Sequence, residues 1–123
     1  MSCIILLAED EVVVRNIVRL LLQRDGHEVL VATDGYEALK LSREYNGQID
    51  LLLTDIGMPR MDGLALVEQI VKDRPGIKIL LMSGNPVGCE LGELPLLRKP
   101  FANDVFRNKV RELLDPPCIH GAS

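Results

Sequence analysis

Aromatic residues are scarce in this chain of 123 residues, which contains two Tyr, two Phe and no Trp. Hydrophobic residues still make up 47% of the sequence, so its core must be built mainly from aliphatic side chains. A chain of this length can form one domain that buries most of the surface of its unfolded state. We therefore predict a single domain over residues 1–115, followed by a loose tail over residues 116–123 that begins with two prolines.

Two further absences exclude whole classes of function. The chain has 14 Lys and Arg against 18 Asp and Glu, a net charge of −4, and it has no basic cluster, which excludes direct binding to nucleic acid. No apolar run approaches the roughly 20 residues that a membrane-spanning helix needs, and the N-terminus lacks the pattern of a signal peptide. We therefore expect a cytoplasmic protein without direct membrane contact.

Cysteine is also sparse, with only Cys3, Cys89 and Cys118 in the chain. Their number is odd, their spacing is wide, and they form no C-x-x-C motif. We expect free thiols rather than a disulfide or a zinc site.

Two apolar runs, residues 3–8 and, interrupted only by Asp50, residues 49–53, are typical of strands that are buried on both faces of a parallel sheet. The first run ends in three successive acids, residues 9–11, and the second is soon followed by Asp55. Because the carboxyl ends of parallel strands meet at one edge of the sheet, we expect these acids to lie close together.

The rest of the chain alternates between helical and strand patterns. The patterns predict helices over about 10–24, 34–45 and 62–74, a last helix that ends near 114, and strands over 28–32, 78–82 and 95–98. This alternation predicts an α/β fold with one doubly wound parallel sheet and right-handed crossovers. Residues 85–94 contain one Pro and two Gly and no sustained periodicity, so we expect the fourth helix of the fold to be shortened or missing there.

Local signals predict how these helices begin, end and pack. Asp34 and Asp62 precede helical patterns and are predicted to cap them, and Gly26 is predicted to end the first helix in a left-handed conformation. The helical spacing predicts that Ile17 and Val71 face the core.

Five side chains that can take part in chemistry follow the predicted strands: Glu9, Asp10, Asp55, Ser83 and Lys99. Three carboxylates at one sheet edge would repel one another without a cation among them, and oxygen ligands alone suit a hard ion such as Mg²⁺. A Lys ammonium and a Ser hydroxyl supply a positive charge and a hydrogen-bond donor for phosphoryl oxygens. Together these groups indicate phosphoryl transfer to a carboxylate.

The order of these motifs resembles a known family. Glu9-Asp10, the segment from Asp55 to Gly63, Ser83-Gly84 and Lys99-Pro100-Phe101 closely resemble the receiver domain of two-component response regulators, over about residues 4–114. The resemblance implies a flavodoxin-like fold with five parallel strands in the order 2-1-3-4-5. It also implies a phosphoacceptor that promotes only its own phosphorylation and dephosphorylation and is not otherwise an enzyme.

The resemblance also assigns roles to individual residues. Asp55 would accept a phosphoryl group from the phosphohistidine of a histidine kinase or histidine phosphotransfer domain. Asp10, Asp55 and the Gly57 carbonyl would coordinate Mg²⁺ directly, and Glu9 would act through water. Ser83 would bind the phosphoryl group on activation.

Lys99 would pair with the phosphoryl group, and the bond between Lys99 and Pro100 is usually cis in such domains. Three features depart from the common pattern of the family, and the first is Glu9, which stands where many receivers have Asp. Leu96 stands where many receivers have Tyr or Phe, and the link from Ser83 to Lys99 is short. The short link resembles the receivers attached to hybrid sensor histidine kinases, and a free-standing response regulator remains the alternative.

Three other functions compete with this interpretation. A dehalogenase-type phosphohydrolase needs a second Asp two residues after its nucleophile, where this chain has Gly57. A flavodoxin-like cofactor binder would place a phosphate loop after its first strand, where residues 9–11 would repel a phosphate. A pseudo-receiver that only binds proteins would not need Asp10, Asp55, Ser83 and Lys99.

The first helix is predicted to dock the phosphodonor, because a step of about 100° per residue places Val12 on its polar arc, exposed beside the acids. Phosphorylation is not expected to drive dimerisation through the surface of the fourth helix, fifth strand and fifth helix. Leu96 carries no aromatic ring, and residues 85–94 do not favour a helix. We therefore expect a monomer.

Overall fold

The computed structural model describes residues 3–84 and 94–115 of the chain. Within these residues the elements are β1 (Ile4–Ala8), α1 (Val12–Arg24), β2 (Glu28–Ala32), α2 (Gly35–Glu44), β3 (Leu51–Asp55), α3 (Gly63–Asp73), β4 (Lys78–Ser83), β5 (Leu96–Arg98) and α4 (Asn103–Leu113). The predictions for the link before β5 and for the tail at 116–123 fall outside the described residues. None of the helices in the described ranges has the length and apolarity needed to cross a membrane.

The five strands form one parallel sheet in the order β2-β1-β3-β4-β5, which confirms the predicted fold. In the register of the sheet, Ala8 of β1 pairs with Thr54 of β3, and Asp55 pairs with Met82 of β4. The carboxyl ends of β1, β3 and β4 therefore lie level with one another. This register brings the residues that follow each strand to one edge of the sheet.

Helices cover both faces of the sheet. Because side chains alternate between the two faces along each strand, each face has its own buried cluster. One face packs against α1 and α4, with a buried cluster that includes Leu7, Leu53, Val18 and Phe106. The other face packs against α2 and α3, with a buried cluster that includes Leu6, Leu52, Leu66 and Ile70. Full burial of one such side chain stabilises the fold by ~1.5–3 kcal/mol, so the aliphatic core holds the edge residues in place.

Three predicted helix boundaries are confirmed by local geometry. Asp34 caps α2 by accepting a hydrogen bond from the backbone N–H of Glu37 at 2.8 Å. The Glu37 side chain in turn accepts a hydrogen bond from the backbone N–H of Thr33 at 2.8 Å. Asp62 caps α3 by accepting from the backbone N–H of Ala65 at 2.8 Å. Gly26 follows α1 with a φ of 87°, the left-handed conformation that glycine adopts most readily.

The buried faces of α1 and α3 are narrower than the sequence predicts. Ile17 and Val71 are 45% and 42% exposed, so the prediction that they face the core is wrong. In α1 the buried arc is filled by Val18 and Leu21, and Ile17 lies at its margin. A helix that packs on one face of a sheet buries only part of a wide apolar stripe.

The prediction of free cysteines is wrong for Cys3, which is disulfide-bonded. Cys3 directly precedes β1 and is buried in the same cluster as Val110 and Leu114 at the end of α4. Cys89 and Cys118 lie outside the described residues. Spacing along the sequence does not report the distance in space between two Cα atoms, which decides whether a disulfide can form.

Candidate functional site

A buried lysine lies among three carboxylates at the carboxyl edge of the sheet. The Nζ atom of Lys99 lies 2.7 Å from Oε1 of Glu9, 3.1 Å from Oδ2 of Asp55 and 3.4 Å from Oε1 of Glu11. The Lys99 side chain is 10% exposed, and Glu9 and Asp55 are buried. One positive charge thus faces three acids, of which Glu9 and Asp55 are shielded from water and Glu11 is exposed.

The strands fix the backbone of each group. Glu9 directly follows β1 and donates its N–H to the carbonyl of Ala32 in β2 at 3.1 Å, and Asp55 is the last residue of β3. Lys99 follows β5 and donates its N–H to the carbonyl of Ser83 in β4 at 2.8 Å. The peptide bond between Lys99 and Pro100 is cis, as the resemblance implies.

The Glu9 carboxylate is fully buried but only partly satisfied. Its Oε2 atom accepts a hydrogen bond from the backbone N–H of Glu11 at 3.0 Å. Within the described part of the chain, no donor is aligned for a hydrogen bond to Oε1, although the Lys99 ammonium is close. Burial and the charge on Asp55 raise the pKa of Glu9 to about 7 against the lowering effect of Lys99 and the Glu11 N–H. The ionised site therefore carries more negative charge than its lysine neutralises.

Lys99 keeps its charge in this environment. Burial alone would lower its pKa, but the close contact with the Glu9 carboxylate and the hydrogen bond to Asp55 outweigh that effect and raise the pKa. Lys99 is therefore an ammonium at neutral pH, and a phosphoryl oxygen on Asp55 would lie within its reach.

Ser83 is brought to the same edge, as the sequence predicts. It is the last residue of β4 and is buried, and the residue before it pairs with Asp55 in the sheet register. Gly57 lies in the loop after β3, two residues beyond Asp55, and is exposed. The order of strands thus collects the predicted serine, lysine and acids at one place.

The position of Asp10 differs from that of its two acidic neighbours. Oxygen atoms of Glu9, Glu11 and Asp55 lie within 4.8 Å of one another, whereas Asp10 is exposed and is not part of this cluster. Asp10 also does not cap α1, since the N-cap residue is Glu11 and makes no side-chain cap bond. Sequence reasoning missed Glu11, and the only available signal was its place as the third acid after β1.

The acidic cluster has the chemistry of a site for a hard divalent cation. Its ligand atoms are all carboxylate oxygens, the donors that Mg²⁺ prefers. The unaligned Oε1 of Glu9 is a buried acceptor that a cation or its bound water could satisfy. These residues therefore fit a metal ion, and the direct roles predicted for Asp10 and Gly57 stay predictions.

A cavity of 430 Å³ opens next to the site, between α1 and the start of α4. Its lining includes Glu11 and Lys99 together with apolar side chains such as Ile17 of α1 and Phe101. Val12, Val13, Ile17 and Leu20 are exposed on α1. The acidic site is thus bordered by an apolar surface.

Comparisons with known proteins agree with this arrangement. The chain is 35% identical over 123 residues to the sensor kinase CckA of Brucella abortus (strain 2308). This alignment covers 93% of the present chain and 13% of CckA. The chain is 30% identical over 116 residues to the aerobic respiration control protein ArcA of Escherichia coli (strain K12), covering 89% of this chain and 48% of that protein. The chain therefore spans less than half the length of these two relatives.

Solved structures of receiver domains superpose closely on this chain. The receiver domain of the hybrid histidine kinase CckA superposes with a TM-score of 0.80 at 36% identity, over 91% of this chain and 99% of that one. A receiver domain protein from Methanospirillum hungatei JF-1 gives a TM-score of 0.84 at 27% identity, over 94% and 96% of the two chains.

The sheet order and the acidic edge around Lys99 define a signalling domain of the receiver type. The family described as the response regulator receiver domain matches residues 5–111, and the chain belongs to this family. It is thus a domain of two-component signal transduction, as the sequence motifs imply.

Proposed function

We propose that this domain accepts a phosphoryl group on Asp55 from the phosphohistidine of a histidine kinase or histidine phosphotransfer domain. The main support is the buried Asp55 carboxylate, 3.1 Å from the Lys99 ammonium within an acidic cluster. An Asp55 oxygen would attack the phosphorus atom and form the new P–O bond. The P–N bond would break, its electron pair would return to the imidazole, and the products would be aspartyl phosphate and histidine.

Lys99 and Ser83 would stabilise the phosphorylated form. The Lys99 ammonium would pair with a phosphoryl oxygen in place of part of its present contact with Asp55, and charge-assisted hydrogen bonds of this kind are the strong ones. The Ser83 hydroxyl would donate to a second phosphoryl oxygen. The reaction needs no further catalytic group, so the domain would promote only its own phosphorylation and dephosphorylation.

A bound Mg²⁺ would neutralise the charge that gathers on the transferred oxygens. By the family pattern, Asp10, Asp55 and the Gly57 carbonyl would hold it directly and Glu9 through water. The cluster of Glu9, Glu11 and Asp55 adds Glu11 as an alternative to Asp10. The ion would also reduce the repulsion within the cluster.

Acetyl phosphate with Mg²⁺ tests the phosphoacceptor. We expect the intact mass of the wild-type domain to increase by one phosphoryl group and the mass of Asp55→Asn to stay unchanged. Asp62→Asn is a matched control, because it removes a nearby carboxylate while asparagine can still cap α3. An equal mass gain in Asp55→Asn would contradict the proposal.

Thermal unfolding with and without MgCl₂ tests the metal site. A ligand at a hundredfold excess over its Kd stabilises the folded state by about 2.7 kcal/mol, so the melting temperature should rise. Asp10→Ala should abolish most of this rise if Asp10 is a direct ligand, and Glu11→Gln should abolish it if Glu11 takes that place. A wild-type response in both variants would locate the ion elsewhere.

We also propose that α1 docks the phosphodonor. Val12 is 57% exposed on the polar arc of α1, and Val13, Ile17 and Leu20 are exposed on the neighbouring part of the helix surface. Ile17 lines the same cavity as Glu11 and Lys99. A partner helix packed there would bury apolar surface on both proteins and place its histidine near the acidic edge.

A charge on this face should separate docking from chemistry. Val12→Glu should keep its labelling by acetyl phosphate but lose phosphoryl transfer from a phosphohistidine partner. Val71→Glu is the matched control, because it adds the same charge at an exposed valine of α3 and should affect neither reaction. Equal loss of both reactions in Val12→Glu would indicate damage to the fold or to the site.

Two contexts remain open for the domain: the receiver of a hybrid histidine kinase, which the similarity to CckA favours, and a free-standing response regulator. In either context we propose a monomer that binds its phosphodonor and makes no direct contact with nucleic acid or membrane. The cytoplasmic location stays a prediction. Light scattering with beryllofluoride and Mg²⁺ tests the monomer, and a shift to a dimer would contradict it.

A further inference from the structure

A tightly held loop follows the phosphoacceptor strand. This acceptor loop, residues 56–62, begins directly after Asp55 and contains Gly57. At its base the backbone N–H of Gly63 donates to the carbonyl of Ile56 at 2.8 Å. A side-chain carbon at position 63 would collide with the Asp55 carbonyl, so α3 starts in direct contact with the phosphoacceptor residue. The base of the loop is therefore fixed by backbone contacts.

The tip of the acceptor loop is held by Arg60. Its Nε and Nη2 atoms each lie 2.7 Å from Oδ2 of Asp34, the residue that caps α2. Its guanidinium carbon lies 4.9 Å from the centre of the Tyr36 ring, within the range of a cation–π contact. Arg60 has a φ of 67°, a left-handed conformation that is unfavourable for a residue with a side chain. Its contacts offset this cost.

The α2 side of the contact is equally well defined. Asp34 is buried, and its other carboxylate oxygen accepts the N–H of Glu37 at 2.8 Å. Burial would raise the pKa of Asp34, but the hydrogen bonds from the Glu37 N–H and from Arg60 lower it overall, so Asp34 is charged at neutral pH. A side-chain carbon at Gly35 would collide with the Met61 carbonyl, so the backbones of loop and helix also touch.

We propose that Arg60 is a positioning residue for metal binding: its ion pair with Asp34 fixes the acceptor loop against α2 and so holds the Gly57 carbonyl in place for Mg²⁺. The inference rests on the proposed function, because Gly57 is assigned to the metal there. Gly57 lies between the two anchors of the loop, the backbone bond at Ile56 and the side-chain bond at Arg60. Loss of the second anchor would remove the ion pair that ties the loop to α2 and leave only the backbone bond at Ile56 and the packing of Met58 and Met61.

A second ion pair provides a matched control. Arg43 of α2 pairs with Asp73 of α3 at 2.9 Å, and its side chain is 54% exposed, close to the 59% of Arg60. Arg43 does not contact the acceptor loop in the described structure. Removal of either arginine deletes one exposed guanidinium and one ion pair. Only the ion pair of Arg60 connects the acceptor loop to α2.

The experiment measures the Kd of Mg²⁺ by titration of backbone amide NMR signals in the wild type, Arg60→Ala and Arg43→Ala. Loss of a group that orients a metal ligand typically weakens metal binding by 10-fold or more, so we expect a roughly tenfold higher Kd in Arg60→Ala. Arg43→Ala should bind as the wild type does. Asp34→Asn keeps a helix cap but removes the charge, and it should weaken binding as Arg60→Ala does, with no further loss in the double variant.

Arg60→Gly distinguishes the ion pair from the backbone conformation. Glycine adopts the left-handed conformation without cost, so wild-type affinity in Arg60→Gly would overturn the proposal. Wild-type affinity in Arg60→Ala, or equal weakening in Arg43→Ala, would also overturn it. Absence of Mg²⁺ binding in the wild type would refute the proposed metal site itself and this inference with it, so the two failures are distinguishable.

Discussion

Replacement of Glu9 by Gln should remove a specific pH dependence from the free energy of unfolding of the metal-free domain. Glu9 has a pKa of 4.5 in the reference state and about 7 in the folded domain. Between these values the folded state binds one more proton at Glu9 than the unfolded chain, so stability falls as pH rises. One pKa unit corresponds to roughly 1.4 kcal/mol, so the loss across this window is ~3 kcal/mol. The contribution of Glu9 to the free energy of unfolding is fully present below its reference pKa of 4.5.

Urea unfolding followed by circular dichroism, with EDTA present, measures this effect at about pH 5 and about pH 8. The pKa of His27 is lowered, chiefly by burial, so His27 gives the opposite trend near its ordinary pKa. Wild type and Glu9→Gln share His27, and the difference between the two proteins isolates Glu9. Saturating Mg²⁺ should flatten the wild-type trend, because the ion favours the ionised carboxylate.

If the difference in unfolding free energy between wild type and Glu9→Gln is the same at both pH values, the pKa of Glu9 is not raised. A difference that favours the wild type more strongly at high pH would mean that the pKa is lowered, and that Lys99 dominates over burial.

Two further predictions concern contacts that hold the fold. Arg74 donates four hydrogen bonds of 2.7–2.9 Å to residues 42–47 at the end of α2, so Arg74→Ala should lose ~2–3 kcal/mol of unfolding free energy in urea. Arg43→Ala, which breaks one exposed ion pair, should lose less than about 1 kcal/mol, and equal losses would contradict the assignment. Gly63→Ala should lose ~1–3 kcal/mol because its methyl group would meet the Asp55 carbonyl, and a wild-type urea midpoint would show that the loop yields without cost.

The sequence predicted the features that depend on near neighbours. The caps at Asp34 and Asp62 and the left-handed Gly26 follow from contacts within three or four residues, which any local pattern contains. The strand ends at Asp55 and Ser83 follow from apolar runs that stop at a polar residue. The parallel alternation then brings those ends together, so the main site residues were accessible before the structure.

The sequence did not predict features that depend on direction or on distant partners. Whether Asp10 or Glu11 points into the site depends on how the chain turns between β1 and α1, which the order of three acids does not reveal. The contacts of Arg60 with Asp34 and of Arg74 with Ser42 join residues 26 and 32 positions apart. Periodicity also cannot give the width of the sheet face that leaves Ile17 exposed.

The disulfide at Cys3 links the thermodynamics of the domain to the redox chemistry around it. A covalent crosslink restricts the unfolded chain, and its reduction typically costs ~2–4 kcal/mol of stability. Cys3 precedes β1 and Glu9 follows it, so a reductant acts at the end of this strand opposite to the acidic edge. Reduction at Cys3 would therefore lower the melting temperature of the domain.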